Sequence, residues 1–163
     1  MKKQQNKLIF GFITLAGFVA ALIGLFVPYL KVVTTISSKS TSSNFNLFGE
    51  ELAEAAHGEW ITISKIALIV LLVALLIAGI VILYSSFAKK TPNWVNAIGL
   101  IAGLVAVVAT IAIAGAMIGF GSANRIVEDY GSLKVWGTVG FWLAFIGGAC
   151  ASVCAVLPYF KKK

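Results

Sequence analysis

"KIALIVLLVALLIAGIVILYSSFAK", residues 65–89, decides the fold. Its two lysines enclose 23 uncharged residues. A helix needs about 20 apolar residues to cross roughly 30 Å of hydrocarbon, so this stretch reads as one membrane span. It lacks the polar and apolar alternation that a lipid-facing barrel strand requires. Three further charge-free windows flank it. Lys7 to Lys31 encloses 23 residues, Lys90 to Arg125 encloses 34, and Lys134 to Lys161 encloses 26. Each is long enough to cross once and too short to cross twice. The expected spans are about 8–29, 62–87, 94–119 and 136–158.

Composition agrees. Of 163 residues, 60% are hydrophobic and 12% charged, against about 25% charged in a typical soluble domain. Mean hydropathy is +0.97. The net charge of +7 is not a nucleic-acid patch, because the basic residues punctuate the apolar runs. The expected partners are the lipid bilayer and another membrane protein or a second copy of the chain, with no nucleic acid. Lysine outnumbers arginine twelve to one, which points weakly to an AT-rich bacterial genome and so to a bacterial plasma membrane. The first span starts with "MKKQQNK", but its apolar stretch is longer than the 7–15 residues of a signal peptide, and no clear A-x-A site follows. It is expected to be an uncleaved helix.

Orientation follows from lysine and arginine bias. With both termini in the cytoplasm, the inner segments carry Lys2, Lys3, Lys7, Lys89, Lys90, Lys161, Lys162 and Lys163 and no acid. All six acids fall outside, among five basic residues. Tyr29, Trp60, Phe120 and Trp136 sit at the outer boundary, and Tyr84, Trp94 and Tyr159 at the inner one, where amphipathic rings anchor. Trp142 is placed deeper. The expectation is therefore an all-α membrane protein, a single antiparallel four-helix domain over 1–163, N-in and C-in. Its outer loops cover about 30–61 and 120–135, and its inner loop about 88–93.

The long outer loop opens with the extended, β-branched "KVVTTI", which suits a short strand. It then turns polar in "SSKSTSSN" and ends in "GEELAEAAHGEW" (49–60). Glu50 and Glu51 suit a first helical turn and His57 a last one, with Gly58 just beyond, so a cap helix is expected. Glu50, Glu54 and His57 share its face. Glu54-x-x-His57 has the spacing of a di-iron motif, but the spans supply no matching carboxylates, so no metal and no cofactor is expected. "SANRIVEDYG" (122–131) reads as a short helix ending at Gly131. Glu50, Glu51, Glu54, His57, Arg125, Glu128 and Asp129 form the candidate outer recognition surface.

Within lipid, helices associate through close packing of small residues and through polar contacts. Gly99, Gly103, Ala106, Thr110, Gly115 and Gly119 in the third span, and Gly147, Gly148 and Ala151 in the fourth, are the candidate packing positions. These two spans are expected to pack tightly together. Cys150 and Cys154 lie one helical turn apart, a poor geometry for a disulfide, and read as packing residues. Segments 11–31 and 140–161 echo each other faintly, as two Gly-, Ala- and Phe-rich helices do by chance.

No Asp, Glu, Arg or His falls inside a span, and Lys65 lies near an outer end. Intramembrane charges mark proton relays and ion paths, so a proton-coupled transporter, a small multidrug exchanger and a voltage sensor are disfavoured. No nucleophile–base pairing and no phosphate-binding loop is present, so the chain is not expected to be an enzyme. The layout resembles tetraspan proteins of the claudin type: four spans, both ends cytoplasmic, a long first outer loop and a shorter second. The resemblance is one of layout. "FNLFG" (45–49) stands where that family carries W…GLW…C…C, and both cysteines lie in the fourth span. The expected function is action by contact, as an accessory subunit, scaffold or envelope-protection factor. The alternative is a subunit of an oligomeric channel or transporter.

Overall fold

The computed structural model describes residues 2–36, 39–48, 58–88, 90–122, 126–127 and 131–160. Four helices dominate: α1 (Lys2–Phe26), α2 (Gly58–Phe87), α3 (Asn93–Ser122) and α4 (Val139–Phe160). Each is long and apolar enough to cross a membrane. At 1.5 Å per residue they run from about 33 to 45 Å. Consecutive helices are neighbours and α4 closes the ring against α1, so the bundle is up-down-up-down. The tightest pairs are α1 with α4 and α2 with α3.

Buried positions alternate three and four apart, the heptad period of helices in a left-handed supercoil. In α2 that seam is Ile61, Ser64, Leu68, Leu71, Leu75, Ala78, Ile82 and Ser85, widened by Ala67, Leu72, Ala74 and Ser86 beside it. In α3 they are Ala102, Ala106, Ala109, Ile113 and Ala116. The outward faces carry Ile66, Ile69, Val73, Ile77 and Ile80 on α2, and Ile101, Val105, Val108 and Ile111 on α3. The inside is mostly Leu and Ala with Ile61, Ile82 and Ile113 among them; the outside is largely β-branched. A surface this apolar has its match in hydrocarbon rather than water.

Four strands form an antiparallel sheet at one end of the bundle: β1 (Leu30–Ile36), β2 (Lys39–Phe45), β3 (Ile126–Val127) and β4 (Gly131–Gly137), in the order β2-β1-β4-β3. β3 is a two-residue stub. Pro28 lacks an N–H and disfavours helix before it, so α1 ends at Phe26 and the β-branched run that follows becomes β1. The polar "KSTSSNF" pairs with β1 from Leu30↔Phe45 to Ile36↔Lys39. The short helix expected over 122–131 gives way to extended chain at Ile126, Val127 and Gly131, beyond the end of α3 at Ser122. Ile126 and Val127 pair with Ser132 and Gly131, and Gly131 opens β4. Trp136, expected at the outer boundary as the first residue of the fourth span, lies in β4; α4 begins at Val139. The expected cap helix at 50–57 lies outside the described residues.

Candidate functional site

The sheet is bolted to the α1–α4 pair through backbone. Tyr29 N–H donates to the Phe45 carbonyl at 2.8 Å, and Thr138 N–H to the Tyr29 carbonyl at 3.0 Å. The Gly140 N–H would be one of the unpaired donors of a helix N-terminus; it reaches the Pro28 carbonyl at 3.0 Å. The Thr138 hydroxyl donates to the same carbonyl. Gly140 has no Cβ for a reason: one there would lie 2.8 Å from the Gly24 and Pro28 oxygens and 2.9 Å from that of Val27.

Side chains alternate across the sheet. Leu30, Val32 and Val135 are buried in the core with Leu47, Ile61 and Phe141. Tyr29 is fully buried, edge-on to Phe141 with ring centroids 5.7 Å apart. Its hydroxyl has no hydrogen-bond partner among the described residues. Burial pushes its phenol well above the ordinary value, against a smaller opposing pull from the Ser64 hydroxyl, which does not reach hydrogen-bond geometry.

The opposite face of the sheet is polar. Lys31 stands opposite Trp136, and Val33 opposite Lys134. On β2, Asn44 is level with Lys31 and Ser42 with Val33. Lys31, Lys134, Trp136, Asn44 and Ser42 are all exposed. Nearby, the Lys65 ammonium lies 5.6 Å from the Phe48 ring centroid, within cation–π range.

Small residues set the helix separations. On α1, Gly17 faces α4: a Cβ on it would lie 2.5 Å from the Gly147 carbonyl oxygen and overlap the Ala151 methyl. One turn pair later, a Cβ on Gly24 would lie 2.7 Å from the Gly140 oxygen. The α1 residues of this seam, Gly17, Ala21 and Gly24, were missing from the sequence-based set. Their signal was small residues repeating at four and three.

The sequence-predicted packing residues separate into groups. A Cβ on Gly99 would strike Tyr159 of α4, and one on Gly103 would lie 2.9 Å from Val156 Cγ2. Ala106 and Thr110 are buried. The Thr110 hydroxyl bonds the Ala106 carbonyl at 2.9 Å and lies 3.3 Å from Ser152 Oγ. Since its hydrogen is engaged on Ala106, Ser152 donates across the helices. Gly148 packs on Leu71, Gly119 lies under Trp60, and Gly147 meets Ala20 and Gly17. A Cβ on Gly115 would have nothing within 4 Å. Glu50, Glu51, Glu54, His57, Arg125, Glu128 and Asp129 lie outside the described residues.

Among the described residues no group of three His, Cys, Asp or Glu side chains is assembled. The buried polar side chains are Thr14, Ser64, Ser85, Ser86, Thr110 and Ser152. Thr14, Ser85, Ser86 and Thr110 bond carbonyls of their own helix. Two apolar grooves mark the outside of the bundle. One, of about 670 Å³, is lined by Ala20 of α1 and by Gly137, Thr138, Val139, Trp142, Leu143, Ile146 and Gly147. The other, of about 410 Å³, runs between α2 and α3 over Ala74 and Ala102. No protein-family model matches the chain, and no curated protein matches it.

Proposed function

We propose that this is a non-enzymatic, multi-pass membrane protein that acts by contact, as an accessory subunit, scaffold or envelope-protection factor. Its helices cross the plasma membrane with both termini cytoplasmic and the sheet outside. The observation that carries the reading is the sheet itself: a polar face bearing Lys31, Lys134 and Trp136, tied by backbone hydrogen bonds to a bundle whose buried polar side chains, among the described residues, are hydroxyls. Thr14, Ser85, Ser86 and Thr110 bond carbonyls of their own helix, an arrangement unlike the intramembrane charges of proton relays and ion paths. A rigid exposed platform offers a surface to another molecule. The lysine bias supports the orientation.

Two measurements test this. Cross-linking and purification in mild detergent should yield a distinct co-purifying membrane protein. A ring of identical subunits that conducts in liposomes would overturn the contact role in favour of a channel. For orientation, Ser42→Cys in a chain with Cys150 and Cys154 replaced by Ala should react with an impermeant maleimide in intact cells. Labelling only after lysis would reverse the topology.

A further inference from the structure

We propose that the groove along α4 holds one acyl chain of an anionic phospholipid from the sheet-side leaflet, with its phosphate taken by Lys31 and Lys134 beside Trp136. The inference rests on the reading of the four helices as membrane spans. Two separate features point to the same amphiphile. The first is the groove. Its volume of about 670 Å³ falls within the roughly 300–1,000 Å³ of small-molecule pockets. Ala20 and Gly147 line it where α1 and α4 meet, and Trp142, Val139 and Ile146 are its exposed aromatic and aliphatic members. From Val139 to Gly147 it covers about 12 Å of helix, close to one leaflet of a hydrocarbon core roughly 30 Å thick. The groove stops near the middle of α4, at the depth of one acyl chain.

The second feature is charge at one end. Gly137 and Thr138 close the groove toward the sheet. Trp136 is the next residue, and Lys31 is its cross-strand partner, about 5 Å away at Cα. Lys134 projects from the same face, two residues along β4. An indole beside two ammonium groups, at the end of an apolar slot, matches an interfacial phosphate above an acyl chain.

The test uses the full chain reconstituted in phosphatidylcholine vesicles, with a small fraction of either phosphatidylglycerol or phosphatidylcholine brominated along its acyl chains. Bromine quenches a tryptophan it touches, and Trp142→Phe identifies the Trp142 share. Brominated phosphatidylglycerol should quench Trp142 at much lower mole fraction than brominated phosphatidylcholine. Lys31→Gln with Lys134→Gln should remove that preference, by about fivefold per lysine. Both lysines are exposed, and retained helical circular dichroism checks the fold of the variant. Equal quenching by the two lipids in the natural sequence would overturn the proposal, as would a preference that survives loss of both lysines. Quenching blocked by a co-purified protein seated on Trp142 would overturn it in favour of a protein partner. If the chain failed to float with vesicles at all, the membrane reading itself would fall, and that result is distinct from a missing preference.

Discussion

Gly17→Ala should loosen the bundle more than any other single methyl placed on α1. The new Cβ would stand 2.5 Å from the Gly147 carbonyl oxygen and overlap the Ala151 methyl. Ordinary contact begins near 3.4 Å, so α1 must retreat from α4 by about 1 Å. Neither obstacle can rotate away, since one is backbone and the other a methyl on Cα. A gap of that size forfeits between a quarter and a half of the dispersion energy of each atom pair along the seam. Overpacking of this kind costs about 1–3 kcal/mol, and the seam's length places Gly17→Ala in the upper half. Ala151→Gly removes the methyl but leaves the carbonyl, so the double variant should recover part of the loss. Gly115→Ala is the control. Nothing lies within 4 Å of its Cβ, so it should be neutral or gain up to about 1 kcal/mol of helix propensity. The assay is reversible unfolding in mixed micelles, titrated with a denaturing detergent and followed by circular dichroism. Equal shifts for Gly17→Ala and Gly115→Ala would refute the close seam.

Tyr29→Phe should change stability near neutral pH by less than about 1 kcal/mol, because the hydroxyl it removes has no partner. Burial raises the Tyr29 pKa in the folded state, so its contribution is whole below the unfolded value near 10 and is lost as pH rises above it. In a pH series of unfolding the natural chain should therefore hold a constant offset from Tyr29→Phe up to about pH 10 and lose stability relative to it beyond. Thr110→Val deletes the acceptor for Ser152 and should cost about 0.6 kcal/mol, the average for interhelical hydrogen bonds in membranes; a loss several times larger would assign this pair a greater share of the α3–α4 contact. Gly140→Ala drives a methyl against three carbonyl oxygens and should speed amide hydrogen exchange in β1 and β4 while leaving α2 and α3 slow. Uniform exchange across both regions would separate the sheet from the α4 start.

The four spans were legible because two long-range signals, hydropathy and lysine placement, do not depend on tertiary detail. Which face of each helix turns inward was harder, because in lipid an outward Ile and an inward Leu are equally apolar. Branching separates the faces only in part, since Ile61, Ile82 and Ile113 turn in and Leu76 and Leu104 turn out. Leu68, Leu71, Leu75 and Ala78 turn in, while Ile66, Ile69, Val73 and Ile80 turn out. A hydropathy scale scores both sets alike. The small-residue rule picked out Gly99, Gly103 and Gly148. It passed over Gly17, Ala21 and Gly24, small residues that repeat at four and then three rather than at an even four.

The sheet was half legible. "KVVTTI" carries β-branched residues that favour an extended chain on their own. "KSTSSNF" does not: it is polar throughout, six of its seven residues are exposed, and only pairing with β1 makes it a strand. "SANRIVEDYG" looked helical because Gly131 resembled a helix end, yet a glycine can equally open a strand, and here Gly131 pairs with Val127. The polar face was invisible for a related reason. Lys31 and Trp136 are over a hundred positions apart, and each alone reads as an interfacial anchor. They share one row only because Pro28 ends α1 where it does and Thr138 holds the start of α4 against Tyr29. Moving either break by one residue would turn Lys31 or Trp136 to the buried face. The position of two helix ends therefore sets what the sheet presents.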